Sequence, residues 1–173
     1  NNLHFILKTP LIKAKNITKK VNSPEGVLSI VNDITLSVDK GQTVAIVGPS
    51  GSGKTTLLAI LAGLDLPTSG TVSLCGHEIT SLDEDARATI RGDNVGFVFQ
   101  SFHLLPKLSA LDNVMLPLEI QGEDDAQKKA IRALSRVGLE ARIKHLPKQL
   151  SGGEKQRVAI ARAFVGTPTV LFA

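Results

Sequence analysis

The run Gly48-Pro49-Ser50-Gly51-Ser52-Gly53-Lys54-Thr55, followed by Thr56, sets two glycines five positions apart ahead of a lysine and a hydroxyl residue. The chemistry of such a run is phosphate capture. Successive backbone N–H groups converge on phosphate oxygens only where the chain tolerates unusual dihedrals and puts no side chain in the ligand's way, and glycine supplies both. Lys54 adds a mobile positive charge for the outer phosphates, and Thr55 offers a hydroxyl to Mg2+. A helix starting here favours an anion at its N-terminus. The G-x-G-x-x-G dinucleotide pattern cannot be read from Gly48, Gly51 or Gly53, so the expected ligand is a nucleoside triphosphate.

A second run, Leu150-Ser151-Gly152-Gly153-Glu154, precedes an apolar helix carrying Val158, Ile160, Ala161 and Phe164. Ser151 and Glu154 have the spacing of a capping box, and a well-capped helix is one complete reading of the segment. The other is an anion site. Two glycines in a first turn each cost up to about 1 kcal/mol relative to alanine, a penalty without structural return unless something must approach the backbone closely.

The elements that hold these runs follow from periodicity. Leu11 to Lys15, and Ile34, Leu36 and Val38 alternating with polar residues, read as half-buried strands of an antiparallel lobe. Thr43 to Val47 is continuously apolar and reads as a central parallel strand feeding the glycine loop. Leu57, Leu58, Leu61 and Leu64 recur at helical spacing, with Gly63 as the stop. Thr71 to Leu74 and Val95 to Phe99 are further strands, separated by a helix opened by Ser81 and Glu84. Beyond Ser101 the pattern is helical: Ser109 with Asp112 gives one start, and Ala130, Ile131, Leu134 and Val137 form a stripe closed by Gly138. The reading is α/β, with a doubly covered, mainly parallel core sheet, a small antiparallel β lobe and a helical arm. One domain is expected: the β lobe over about 1–40, the phosphate-loop core over 41–100, the helical subdomain over 101–150, and the second glycine-led helix with a further strand over 151–173. Thr169 to Ala173 reads as a strand buried on both faces, from which the chain is expected to continue.

Composition narrows the class. The 173 residues are 42% hydrophobic and 21% charged, which fits an ordinary globular domain and excludes intrinsic disorder. The longest apolar stretch, Leu57 to Ala62, falls far short of the ~18 residues of a spanning helix. The net charge of +4 is mild, and with 3% aromatic residues and neither Trp nor Tyr there is little to stack on bases, so no nucleic-acid partner is expected. The single cysteine, Cys75, reads as core filler in a reducing compartment. His77, His103 and His145 lack ligand spacing, His4 stands near the start, and none is assigned a metal. Phe102, Leu104, Leu105, Leu108 and Val114 read mainly as core, any exposed members forming a patch for a partner helix.

Taken together, the phosphate loop, Gln100 after a strand, a helical insert and Leu150 to Glu154 resemble the nucleotide-binding subunits of ATP-binding cassette (ABC) transporters, from about Leu11 to Ala173. Leu58 to Asp65, Gly96 to Phe102 and Leu104-Leu105-Pro106 are similar to the lipoprotein-releasing and macrolide-export branch, YbbA-like ATPases included. The resemblance implies that Gly48 to Thr56 hold ATP and Mg2+, with Lys54 and Gln100 in catalysis and Thr55 and Gln100 at the metal. Ser151, Gly152, Gly153 and Glu154 would face the γ-phosphate held by a second copy in a head-to-tail homodimer. A transmembrane permease partner, a peripheral place on the cytoplasmic face of the inner (plasma) membrane, and export or extraction of lipids, lipoproteins or hydrophobic compounds are implied with it.

Two departures stand out. The position where relatives place an aromatic ring on adenine falls at Val21, so a stacking increment of ~1–3 kcal/mol is reduced and weak discrimination among purine triphosphates is expected. The family's Mg-supporting Asp and water-polarising Glu come after the strand at 170–173, so the 173 residues alone are expected to bind nucleotide but hydrolyse it poorly. A soluble ABC-type ATPase of DNA repair or the ribosome would keep both anion sites. A small-molecule kinase would keep the phosphate loop but leave Gly152 and Gly153 unexplained.

Overall fold

The computed structural model describes residues 9–24 and 26–173; His4 lies outside the described residues. The chain forms two compact units, one running to Ala88 and one from Thr89 to Ala173.

The first unit is built on an antiparallel sheet of order β2-β1-β3-β4, with β1 at Ile12–Ser23, β2 at Gly26–Val38, β3 at Ser69–Leu74 and β4 at His77–Glu78. The antiparallel lobe expected over 1–40 thus draws in strands from residues 69–78. In β1, Ile12 and Ala14 are buried while Lys13 and Lys15 are exposed, and then the alternation slips so that Ile17 is buried instead of Asn16. The slip is a bulge: Asn16 has φ 50 and the register with β2 shifts between Ala14 and Ile17. Asn16 stays satisfied, its N–H donating to Thr35 Oγ1 (2.9 Å) and its Nδ2 to Asp33 Oδ1 (2.8 Å). Helix α1, Lys54–Leu61, contacts β2 and β3 and buries Leu57, Ile60 and Leu61, each contributing about 1.5–3 kcal/mol by leaving water. Gly63, at φ 73, follows its last turn.

At three places the chain departs from expectation. Thr43 to Val47 forms no strand, and Val44 and Val47 are 55% and 86% exposed. An apolar run records a demand for burial, but a strand also needs a hydrogen-bonding neighbour, and among the described residues none pairs with this segment. Cys75 is not core filler: with Gly76 it makes the two-residue turn between β3 and β4, both at positive φ (50 and 86), and it is half-buried. Ser81 does not open helix α2, Glu84–Asn94; its hydroxyl donates to the Glu78 carbonyl, while Asp83 Oδ1 accepts from the Ala86 N–H at 2.9 Å and caps the helix.

In the second unit, β5 (Val95–Phe97) and β6 (Val170–Phe172) pair in parallel, and the Val98 N–H donates to the Phe172 carbonyl one step further on. The strand expected as far as Phe99 therefore ends two residues early. Phe97 stacks between Phe99 and Phe172, with centroids 5.4 and 5.7 Å away. Helices α3 (Ala110–Ile120), α4 (Ala126–Arg136) and α5 (Gly152–Phe164) enclose a core of Ala110, Val114, Ala130, Leu134, Leu139, Leu150, Val158 and Ala161. Helix α3 starts on the expected Ser109–Asp112 capping box, and Gly138 (φ 71) closes the α4 segment. Ile131 leaves the expected stripe and is 38% exposed, and Phe164 of α5 is 52% exposed. Among the described residues no helix is long and apolar enough to cross a membrane.

Candidate functional site

The phosphate-loop residues lie in the first unit, between the unpaired 43–47 segment and α1. Gly51 (φ 79) and Gly53 (φ 83) both take the left-handed conformation, and Gly53 is the residue from which α1 starts. Gly53 also backs onto β2, where the Ile30 carbonyl fills the space a Cβ would need. The Ser52 N–H donates to the Pro49 carbonyl (3.3 Å), rounding the loop, and the Leu57 N–H reaches the Gly53 carbonyl (2.8 Å) as the first helical bond.

Among the described residues no side chain caps α1. No side chain accepts from its first turn, and that turn contains no acidic residue, whereas α3 and α5 each carry a serine cap and an acid at the third position. The positive end of α1 is therefore left for an outside anion. Lys54 Nζ folds back into the loop, donating to the Gly48 and Pro49 carbonyls at 2.8 and 2.6 Å. Those carbonyls are neutral, so a phosphate oxygen competes for the same ammonium with the advantage of charge. Thr55 is exposed and Thr56 half-buried. Val21 lies in β1 opposite Leu28 of β2; Val21 is half-buried and Leu28 is 57% exposed, so the two form an aliphatic pair.

The other sequence-derived residues lie in the second unit. Ser151 caps α5: its Oγ accepts from the Glu154 N–H (3.3 Å), and Glu154 Oε2 accepts from the Ser151 N–H (2.8 Å). The remaining Glu154 oxygen takes Arg142 Nε at 3.0 Å. The Ser151 backbone N–H, then Arg142, then the Ser151 hydroxyl hold the Glu154 carboxyl well below its ordinary value, at about 2. Both its oxygens are thus turned to donors of the chain itself. Gly152 and Gly153 are exposed; a Cβ on Gly152 would meet nothing within 4 Å, and one on Gly153 only the tip of Arg157 at 3.8 Å. Nothing within the described chain requires either glycine.

Gln100 is exposed in the turn after β5. Of the apolar residues that follow, only Val114 is core; Phe102, Leu104 and Leu108 are half-buried and Leu105 is 43% exposed, so the expectation that most of them are core is corrected. Sequence reading missed two residues that shape this loop. Asn113, 1% exposed, accepts from the Leu105 N–H at 2.8 Å and donates to the Leu105, Leu108 and Ser109 carbonyls. Arg162 of α5 donates to the Phe102 and His103 carbonyls, both at 2.8 Å. A lone polar residue within the apolar 110–118 stretch, and an arginine flanked by buried alanines, were the available signals.

Residues 31–173 match the family model described as ABC transporter. The uncharacterized ABC transporter ATP-binding protein YbbA of Escherichia coli (strain K12) is 53% identical over 165 residues, 94% of this chain and 72% of that protein. The lipoprotein-releasing system ATP-binding protein LolD of Alcanivorax borkumensis is 45% identical over 167 residues, covering 95% and 73%. The dimeric structure of a post-hydrolysis state of the ATP-binding cassette MJ0796 bound to ADP and Pi superposes with a TM-score of 0.86 at 42% identity, over 92% of this chain and 72% of that one.

Proposed function

The chain belongs to the ABC transporter family as an ATP-binding domain with the α/β fold of ABC ATPase cassettes, and from that membership we propose that it works as the ATP-driven motor of a membrane permease. The contrast between its two glycine-led helix starts carries the reading. Among the described residues helix α1 has no side-chain cap and is open to an anion, whereas α5 is fully capped yet keeps two glycines that no described neighbour requires. The second arrangement suits a phosphate held by another copy, approaching Gly152 and Gly153 too closely for side chains.

In this reading the N–H groups of the Gly48 to Thr56 loop, Pro49 having none, take the phosphate oxygens, and Lys54 exchanges the Gly48 and Pro49 carbonyls for the outer phosphates. The Thr55 hydroxyl and the Gln100 side-chain carbonyl are hard oxygen donors of the kind Mg2+ accepts in ones and twos beside phosphates. Mg2+ would neutralise charge on the transferring phosphoryl group. Gln100 orients the attacking water, and Val21 with Leu28 packs on the base. Ser151 and the exposed amides of Gly152 and Gly153 complete the site across a homodimer, with Glu154 holding their geometry instead of touching the anion. ATP then closes the pair, and hydrolysis, by removing the shared phosphoryl group, reopens it. Exposed Leu105 suits a permease contact on the cytoplasmic face of the inner membrane. The printed name of the LolD relative favours lipoprotein release within the wider export or extraction of lipids, lipoproteins or hydrophobic compounds.

The test is the oligomeric state of the protein in Mg-ATP, by light scattering, for wild type and Ser151→Arg. Nucleotide-dependent pairing abolished by the arginine, with monomer nucleotide binding retained, supports the reading. Pairing that ignores the substitution overturns it.

A further inference from the structure

We propose that Arg162 is a positioning residue that fixes the Gln100 loop to helix α5, so that Gln100 and the Ser151–Gly153 end of that helix move as one piece. This rests on the motor reading above, in which Gln100 acts at the attacking water.

Phe102 and His103 are two consecutive non-glycine residues at positive φ (60 and 44), a conformation side chains disfavour and which persists only when surroundings enforce it. Two local backbone bonds, Phe102 N–H to the Phe99 carbonyl (2.9 Å) and His103 N–H to the Ser101 carbonyl (2.7 Å), form the turn. The guanidinium fork of Arg162 then takes both carbonyls of this turn, Nη1 on His103 and Nη2 on Phe102. A rigid planar fork matches two adjacent acceptors better than a flexible ammonium does. Among the described residues no carboxylate pairs with Arg162, so this half-buried cation is committed to two carbonyls of one loop.

Gln100 therefore sits in the short span Phe99–Ser101 between two anchors. On one side Val98 is tied to β6; on the other, Phe102 and His103 are tied to α5. Further along, Asn113 pins Leu105, Leu108 and Ser109 to α3, which packs against α5. A displacement delivered to exposed Leu105 then passes into α5 instead of being absorbed as local loop motion.

The experiment compares wild type, Arg162→Ala and Arg162→Lys in the full-length protein by amide hydrogen exchange and steady-state ATPase kinetics. In Arg162→Ala, exchange at residues 101–104 is expected to rise at least tenfold while α5 amides keep their protection. kcat is expected to fall at least tenfold with the ATP KM unchanged, methylguanidinium restoring part of it. Arg162→Lys, which keeps the charge but not the fork, should show the same split in milder form and serves if alanine prevents folding. Unchanged exchange at 101–104, or a loosened loop with unchanged kcat, overturns the proposal. Absence of ATP hydrolysis in the wild type would instead sink the motor reading, and it is recognised because it needs no substitution.

Discussion

Gly53 and Ile30 meet backbone to backbone: the Ile30 carbonyl of β2 occupies the place of a side chain on the glycine that starts α1. Gly51 shares the left-handed conformation but has open space around it. Gly51→Ala should cost the conformational penalty alone, about 1–2 kcal/mol. Gly53→Ala adds a steric conflict of about 1–3 kcal/mol, so urea unfolding should place it clearly below Gly51→Ala, and equal losses would contradict the contact.

Lys54→Met removes the ammonium that bonds the Gly48 and Pro49 carbonyls. Those are bonds at a solvent-facing loop, so stability should change by no more than ~0.5–1.5 kcal/mol. Affinity for a triphosphate should fall at least tenfold in a calorimetric titration, because charge-assisted bonds to phosphate are lost.

Gly153→Ala tests whether the chain or an outside group needs that glycine. With no close neighbour for the new methyl group, helix propensity should make the variant as stable as wild type or more stable by up to about 1 kcal/mol in thermal melting. Pairing in Mg-ATP should weaken all the same. A destabilised fold would place the requirement inside the chain.

Glu154 gives a pH signature. Its carboxyl is held at about 2 against an ordinary 4.5, so its contribution is fully present above pH 4.5 and is lost as the pH falls from there through about 2. The difference in melting temperature between wild type and Glu154→Gln should be constant near neutrality and shrink across that acid window. A difference that grew on acidification would contradict the cap.

Val21→Tyr should restore a stacking surface at the base. With ~1–3 kcal/mol available per aromatic–base contact, ATP affinity should rise by roughly fivefold or more in competition titrations against wild type. No gain would remove Val21 from the base site.

Features encoded by neighbours in the chain were legible in the sequence, and those requiring a distant partner were less so. The Ser109–Asp112 and Ser151–Glu154 boxes appear at the foreseen residues because a cap spans three positions. The phosphate loop is likewise continuous, and Gly51 and Gly53 adopt the left-handed backbone that glycine permits. The 43–47 segment shows the limit: its apolarity says nothing of whether a neighbouring strand will pair with it. Asp83 displaced Ser81 as a cap because two acceptable capping residues stand two positions apart and only geometry chooses. Arg162 escaped notice because its partners are backbone carbonyls some sixty residues away, and a carbonyl has no letter in the sequence.

The parallel ladder of β5 and β6 joins Val95, Gly96 and Phe97 to Val170, Leu171 and Phe172, with three helices translated in between. At the ~5–20 residues per second of protein synthesis, β5 leaves the ribosome several seconds before its partner exists. Its aromatic edge waits unpaired through that interval, so nascent chains stalled within α5 should be the species that chaperones capture.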